Sequence, residues 1–227
     1  MKEKQKISEE LKQKYHKCEE VRDFKEMIER SAQIYKTRTA FKLKNKDGEI
    51  YSKTYEEVKN DIYALGTELI ENGLTNKRIA VINLIGRTSM GILSENPFIV
   101  ANDIYNKLKN QADIFVLDFH AEATAEKIAM GYYMDGKYTI VYGTHTHVQT
   151  ADEQMLEKGT AYITDIGMTG PKKSVIGMDV GVSFKRFVTS LPERYKLADS
   201  EAMINGCVFK INDETNRTEE IIRINTK

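Results

Sequence analysis

The sequence predicts an α/β fold in which a central mixed sheet is flanked by helices. Two apolar runs, 114–117 and 138–142, are rich in β-branched and aromatic residues, and each is followed at once by a polar loop. Such runs are typical of buried strands in α/β sheets. A strand predicted at 78–84 and helices predicted at 98–111 and 124–134 alternate with these runs, as expected for a layered α/β architecture.

Size and charge limit the class of protein. With 227 residues, of which 41% are hydrophobic and 30% charged, the chain can build one sizeable core or two small ones. Its 34 basic and 34 acidic residues cancel, so nothing in the overall charge favours an extended nucleic-acid surface or an anionic membrane. No run is long and apolar enough to cross a bilayer, and Cys18 and Cys207 show no paired spacing. We therefore expect a cytoplasmic protein without membrane attachment.

The first third of the chain predicts a small helix-hairpin-helix segment. Residues 1–36 carry apolar residues near helical spacing among many charges, and the turn of the hairpin falls at Asp47-Gly48. Residues 54–57, Thr-Tyr-Glu-Glu, match a capping box, which predicts that a second helix begins there and ends before Gly73.

The last third predicts a further strand and a closing hairpin. The strand at 160–164 runs into a loop, 165–171, that contains two glycines and a proline and must turn sharply. The last turns of a helix are expected at 184–191. Residues 203–212 and 219–225 alternate apolar and polar side chains, which is typical of an antiparallel hairpin.

Three of the four histidines follow the two central strands. His120 comes after the first, and His145 and His147 come after the second. Ligands in α/β sheets bind just beyond strand ends, and in extended backbone both imidazoles of a His-x-His pair leave the same face. These residues predict a metal centre. The alternative is that each is an ordinary hydrogen-bonded histidine, and we expect the fourth, His16, to have only a surface role.

Part of the N-terminal third is similar to a known family. Besides the hairpin, the likeness is carried by segments 51–57, 64–69, 73–74 and 77–82. Residues 19–82 thereby resemble the N-terminal piece of adenylate-forming enzymes of the acyl-CoA synthetase type. The nucleotide loop, the later Thr-Glu motif and the C-terminal lysine of that family are absent from this sequence, so the resemblance implies no ligase chemistry.

A longer resemblance covers the rest of the chain. It is carried by segments 80–88, 118–127, 143–152 and 158–171. These motifs are similar to the C-terminal part of the YmdB-like metallophosphoesterases, relatives of 2',3'-cyclic-nucleotide phosphodiesterases. The resemblance implies an incomplete metallophosphoesterase-type sandwich of mixed sheets flanked by helices. It divides the chain into a charged N-terminal helix (1–18), a fragment like the adenylate-forming enzymes (19–79) and a metallophosphoesterase-like domain (80–227).

The same resemblance implies a site and a reaction. In that family two metal ions hold an activated hydroxide that attacks phosphorus in line. By resemblance His120 and His145 would bind one metal and His147 the other. Imidazole suits iron, manganese or zinc, and the substrate would be a small phosphodiester or nucleotide.

Further residues are expected to support these ligands. Ligating histidines need an acceptor for their other N–H, so Asp118, Glu122 and Asp165 are predicted to hold histidines or loops. Gly167 and Thr169 belong to the loop after the 160–164 strand. For this loop a structural turn is slightly preferred over direct contact with substrate.

The resemblance also shows what the sequence lacks. Family members supply an aspartate, a glutamate and an Asn-His pair from N-terminal segments that this chain replaces with ligase-like sequence, so no catalytic residue is assigned. Three functions stay open: a working phosphodiesterase, a catalytically impaired fusion or half-site protein that binds one metal weakly or none, and an interaction module built on the ligase-like piece. Loss of the first strands should expose a sheet edge, which favours a homo-oligomer.

Overall fold

The computed structural model describes residues 20–44, 49–71, 73, 77–91 and 93–226. The predicted helix at 1–18, with His16 and Cys18, and the Asp47-Gly48 turn lie outside the described residues. The chain forms two compact units, Met1–Thr75 and Asn76–Lys227. The division between them falls a few residues before the predicted start of the last domain at residue 80. None of the described helices is long and apolar enough to span a membrane.

The first unit has four elements. In chain order these are α1 (Phe24–Tyr35), β1 (Thr39–Lys44), β2 (Ile50–Thr54) and α2 (Tyr55–Glu71). β1 and β2 pair in antiparallel fashion. At the start of α2, the Glu57 N–H donates to Thr54 Oγ1 at 3.2 Å, and the Glu57 carboxylate accepts the Thr54 N–H at 2.7 Å. The predicted capping box is therefore confirmed. Gly73, just beyond the helix, has a positive φ of 96°.

The second unit contains the sheet and the predicted site. Its elements in chain order are β3 (Ile79–Ile85), α3 (Pro97–Leu108), β4 (Ile114–His120), α4 (Thr124–Met134), β5 (Ile140–Thr144), β6 (Gln154–Met155), β7 (Ala161–Ile163), β8 (Gly170–Pro171), α5 (Val180–Thr189), β9 (Ala202–Met203), β10 (Asn205–Ile211) and β11 (Thr218–Asn225).

Five strands form one mixed sheet in the order β3-β4-β5-β7-β6. β3, β4, β5 and β7 run parallel, and the short β6 is antiparallel to β7. β8 with β9, and β10 with β11, form separate antiparallel pairs. The predicted central mixed sheet flanked by helices is confirmed. Because β3, β4 and β5 are parallel, their C-terminal ends meet at one edge of the sheet.

The two faces of the sheet differ in character. Side chains alternate along a strand, so Phe115, Leu117 and Phe119 share one face, and all three are at most 4% exposed. They form the hydrophobic core with residues of α3 and α4, including Ala101 and Met130. Asp118 and His120 lie on the opposite face and are half-buried. The apolar face therefore anchors the strands, while the polar face presents the site residues.

β3 forms one edge of this sheet among the described residues. Val81, on the same face as Asp118, is 70% exposed, and Ile79 is 40% exposed. The face of β3 that carries these two side chains is therefore open in the described part of the chain, and the exposed edge stays a prediction.

One core assignment was wrong. The sequence cluster Tyr132-Tyr133-Met134 is more often core than a stacking platform for a base, so it predicts three core residues, but Tyr132 and Tyr133 of α4 are 59% and 47% exposed. Helical periodicity explains the difference, because Met130 and Met134 are four residues apart on the buried face and Tyr132 lies between them on the opposite side.

The close contact between β5 and β7 predicts the effect of Gly143→Ala. A Cβ at this position would lie 1.8 Å from the Thr164 carbonyl oxygen, a backbone atom that cannot rotate away. We expect the free energy of unfolding to fall by about 3 kcal/mol, as measured by urea denaturation. Gly206→Ala is the control, because a Cβ there meets nothing within 4 Å. Equal losses in the two variants would contradict this account.

Candidate metal centre

Polar side chains from three neighbouring strands meet at the C-terminal edge of the sheet. Asn83 Nδ2 of β3 donates to Asp118 Oδ2 of β4 at 2.8 Å. Thr144 Oγ1 of β5 donates to Asp118 Oδ1, also at 2.8 Å. His120 Nδ1 lies 3.2 Å from Thr144 Oγ1. The strand register places Asn83 beside Asp118, and Thr144 beside His120.

This chain of hydrogen bonds sets the tautomer of His120. The single hydroxyl hydrogen of Thr144 is donated to Asp118, so the Thr144 oxygen accepts a hydrogen from His120 Nδ1. A neutral His120 then carries a lone pair on Nε2. Partners of this kind orient histidines that bind metals. Asp118 thus acts on His120 through Thr144 rather than by direct contact.

His120 and His145 come together at this edge. His120 Nε2 lies 3.0 Å from His145 Nδ1, and the rings are nearly perpendicular with centroids 4.8 Å apart. The other nitrogen of His145, Nε2, lies 3.0 Å from Glu122 Oε2. A carboxylate only accepts hydrogen bonds, so a neutral His145 has its N–H on Nε2. The lone pairs on His120 Nε2 and His145 Nδ1 would then face and repel each other. A proton or a metal cation between the two nitrogens would remove this repulsion.

His147 lies apart from this pair. Its Nδ1 is 3.2 Å from the carbonyl oxygen of Ile176, which accepts the Nδ1 hydrogen and leaves the lone pair on Nε2. Its side chain is exposed. Within the described part of the chain, no three His, Cys, Asp or Glu side chains form a group that could hold a metal ion.

The expectation that His145 and His147 leave the same face of an extended strand was wrong. β5 ends at Thr144, and both histidines have positive φ, 99° for His145 and 65° for His147. Left-handed backbone does not follow the alternation of a strand. As a result, His145 points towards His120, while His147 contacts the loop at Ile176.

The buried carboxylate of Asp165 accepts hydrogen bonds from two loops, the histidine loop after β5 and the loop after β7. It is 1% exposed, and its Oδ2 pairs with Lys127 Nζ at 2.8 Å. The same oxygen accepts hydrogen bonds from the backbone N–H and the hydroxyl of Thr146, at 3.1 and 2.7 Å. Oδ1 accepts the Gly167 N–H at 2.9 Å. Asp165 therefore fixes both the histidine loop and the loop after β7.

Lys127 had been given no role from the sequence. It is also 1% exposed and lies on the buried face of α4 with Met130 and Met134. The sequence did contain a signal for this role, since Lys127 lies at a position of α4 where the helical periodicity expects an apolar, buried residue. A lysine buried at such a position must pair with a buried acceptor.

The loop after β7 is built as a turn. Gly167 has a φ of +80°, and a Cβ there would lie 2.8 Å from the Asn205 Cβ and 2.9 Å from the Gln149 Cβ. Glycine is thus required by backbone conformation and by space. Thr169 is exposed. These facts support the turn, and contact between this loop and a substrate stays a prediction.

Two ionisable groups near the site have shifted pKa values. Burial, and then the charge of Asp118, raises the pKa of Tyr142, so its hydroxyl stays protonated at neutral pH. For Asp152 burial acts to raise the pKa, but hydrogen bonds from the Thr150 and Thr164 side chains and the Thr164 N–H together lower it. Asp152 is thus held as a carboxylate that ties its loop to the end of β7.

The buried pair predicts the effect of Lys127→Met. Removing the lysine leaves a buried carboxylate without its counter-ion, so we expect the free energy of unfolding to fall by about 3–5 kcal/mol in urea denaturation. Lys185→Met is the control. It breaks a surface pair with Glu193 in which the lysine side chain is 63% exposed, and should cost less than about 1 kcal/mol. If both variants lost the same stability, the anchoring role of Lys127 would be refuted.

Comparison of the sequence with known proteins identifies the family of this chain. Residues 33–224 match the model of the YmdB-like protein family. The chain is 48% identical over 148 residues to a 2',3'-cyclic-nucleotide 2'-phosphodiesterase of Bacillus subtilis (strain 168), an alignment that covers 65% of this chain and 56% of that protein. It is 38% identical over 151 residues to a putative phosphatase/phosphodiesterase of Mycoplasma pneumoniae, covering 65% and 53%.

Solved structures agree with this match. A crystal structure described as a novel phosphatase from Mycoplasma pneumoniae superposes with a TM-score of 0.59 at 38% identity, covering 65% of this chain and 53% of that one. A hypothetical protein from Thermus thermophilus gives a TM-score of 0.61 at 34% identity, covering 67% and 59%. The chain spans about half the length of the curated relatives it matches. Since the family model covers most of the sequence, this protein belongs to the YmdB-like family.

Proposed function

We propose that this chain is a metal-dependent phosphodiesterase of the YmdB-like type. Its substrates would be small phosphodiesters such as 2',3'-cyclic nucleotides, the class named for the Bacillus subtilis relative. The observation that carries the proposal is the 3.0 Å approach of His120 Nε2 to His145 Nδ1. Both nitrogens are held as acceptors by partners on their far sides, which is how a protein presents imidazole to a cation.

The distance between these nitrogens fits one bound ion. Two nitrogens 3.0 Å apart, each about 2.1 Å from a common ion, subtend an angle of about 90° at it. This angle suits an ion with more than four ligands and open positions for water and phosphate. Iron, manganese and zinc are compatible with imidazole. A bound ion of this kind would lower the pKa of its water and offset charge on the phosphate oxygens.

Each remaining site residue has a proposed task. Asp118, through Thr144, orients His120, and Glu122 orients His145. Asp165 with Lys127 holds the histidine loop in place. We assign His147 to the second metal ion, because its Nε2 is the free acceptor while Nδ1 is engaged by a backbone carbonyl.

A second candidate function is an impaired half-site protein that binds one metal weakly or none. It is favoured by the absence, among the described residues, of a group of three ligands suited to a metal. It is also favoured by the missing N-terminal aspartate, glutamate and Asn-His segments. A lone cation without carboxylates lacks both the bridge and the charge balance of a two-metal site.

The organisation of the whole chain is part of the proposal. We propose a charged N-terminal segment at 1–18, a fragment like the acyl-CoA synthetases at 19–79, and an incomplete metallophosphoesterase-type sandwich at 80–227. The family match begins at residue 33, so it includes most of the middle segment. We further propose a cytoplasmic protein that associates with itself through the edge of β3.

Metal analysis combined with hydrolysis tests the proposed function. We expect two transition-metal ions per chain and hydrolysis of bis(p-nitrophenyl) phosphate that falls at least about 100-fold in His145→Ala, because that variant removes a ligand. His16→Ala, which changes the histidine that is not assigned to the metal centre, should keep both metal content and rate. At most one ion with no hydrolysis would instead establish the half-site protein.

A second test addresses the hydrogen bonds behind His120. Thr144→Val keeps the shape of the side chain but removes the hydroxyl between Asp118 and His120. We expect the affinity for the metal to fall about 10–100-fold, as measured by titration with a competing chelator. Thr189→Val is the control, since this hydroxyl is bonded only at the end of α5, where it donates to the Lys185 carbonyl and accepts the Leu191 N–H. Unchanged affinity in Thr144→Val would remove Thr144 from the site.

A further inference from the structure

A cavity of about 210 Å³ lies at the end of the sheet opposite the histidines. Among its lining residues are Asp113, Thr139 and Gly159, which come one or two residues before β4, β5 and β7. Since these strands are parallel, their N-terminal ends share one edge of the sheet. β4 has seven residues, so its two ends are about 20 Å apart at about 3.3 Å per residue. The cavity is therefore separate from the candidate metal centre.

The wall of this cavity is mainly polar and carries an excess of positive charge. Four cationic residues line it, namely Lys109, Lys137, Lys158 and Arg217. The one carboxylate on the wall, Asp113, is already paired, since Nε and Nη2 of Arg78 lie 3.3 Å from its two oxygens. The Lys137 ammonium donates to Asn102 Oδ1 at 2.7 Å, which leaves its charge in place. A cleft lined by charge of one sign concentrates ions of the opposite sign.

Two glycines let cationic side chains lie across this wall. A Cβ on Gly159 would be 3.8 Å from both Nε and Nη1 of Arg217, and a Cβ on Gly136 would be 3.2 Å from Cδ of Lys158. Both glycines line the cavity, so the two cationic side chains pass directly over its surface. Within the described part of the chain, neither Lys158 nor Arg217 forms an ion pair. Their charges are thus free to meet an anion.

Asn216 adds a neutral donor whose orientation is fixed. Its Oδ1 accepts a hydrogen bond from Lys77 Nζ at 2.7 Å, and its backbone carbonyl accepts one from the Thr139 hydroxyl at 3.3 Å. The amide nitrogen, Nδ2, has no hydrogen-bond partner among the described residues and is not closed off from solvent. Because Asn216 lines the cavity, this N–H group is accessible to a bound acceptor.

We propose that this cavity binds a small oxyanion of the phosphate class, held by Arg217, Lys158 and the Asn216 amide. The guanidinium group matches the geometry of phosphate oxygens, and charge-assisted hydrogen bonds of this kind are about twice as strong as neutral ones. Lys109, exposed at the end of α3, adds positive charge at the rim. The site lies away from the histidines, so the inference does not depend on the proposed function.

The size and polarity of the cavity restrict its ligand. Pockets for drug-sized ligands measure about 300–1,000 Å³ and are mainly apolar, whereas this one is smaller and polar. It suits a phosphate group with little attached to it, as in the free ion or the monoester of a small sugar. The feature common to both is a doubly charged head group that only accepts hydrogen bonds at neutral pH.

Calorimetry of the full chain tests this binding. We would titrate sodium phosphate, and in a separate run ribose 5-phosphate, into the purified protein and into His145→Ala at low ionic strength. We expect saturable binding that persists in His145→Ala, because that variant disables the metal centre alone. Tighter binding of ribose 5-phosphate would support the ester as ligand, and tighter binding of phosphate the free ion. The proposal is overturned if neither binds, or if His145→Ala abolishes all binding.

Two variants test the contacts themselves. Asn216→Asp keeps the shape of the side chain and the oxygen that faces Lys77, but it replaces the Nδ2 donor with a carboxylate oxygen, which repels an oxyanion. Arg217→Gln removes the guanidinium from an exposed position. We expect each variant to weaken phosphate binding at least about tenfold.

The matched control is Lys185→Gln. It changes the net charge by the same single unit, at a side chain of α5 that is 63% exposed, and it should leave the affinity for phosphate unchanged. An equal loss in Lys185→Gln would mean that only overall charge matters and would refute the site. Unchanged affinity in both Asn216→Asp and Arg217→Gln would refute it as well.

Discussion

The buried ion pair between Lys127 and Asp165 is the interaction on which the site depends. Both side chains are 1% exposed, so their attraction acts in a medium of low dielectric, where only further hydrogen bonds make such a pair tolerable. Thr146 and Gly167 provide those bonds from two different loops. One carboxylate therefore couples α4, the histidine loop and the turn after β7, and it fixes where His145 and His147 can point.

The histidine rings are oriented by the hydrogen-bonding groups next to them. Asp118 acts through Thr144 on one ring, Glu122 acts on another, and a backbone carbonyl acts on the third. In each case one ring nitrogen is engaged, which leaves the other as an acceptor when the ring is neutral. This shared arrangement depends on the parallel register of β3, β4 and β5, because the register determines which side chains are neighbours at the proposed metal centre.

Much of this arrangement follows from local sequence pattern. The apolar runs predicted β4 and β5 correctly, and the polar residues after them indicated where the candidate site would lie, since strand ends are recognisable from composition alone. The capping box at Thr54 was equally local. The pairing of Lys127 with Asp165 was not predictable in this way, because it joins a helix to a loop 38 residues away. The positive φ values at 145 and 147 were also missed, because they are imposed by tertiary contacts that His-x-His spacing does not encode.

The left-handed backbone at His145 and His147 has an evolutionary consequence. Glycine occupies that conformation without steric cost, whereas a residue with a Cβ does so only when its surroundings enforce it. Imidazole side chains at these two positions thus represent a stability–function trade-off, in which the fold tolerates local strain to keep a particular chemistry. Replacing either histidine with glycine or asparagine would relieve that strain but remove an imidazole, so selection for stability and selection for the chemistry oppose each other at these two positions.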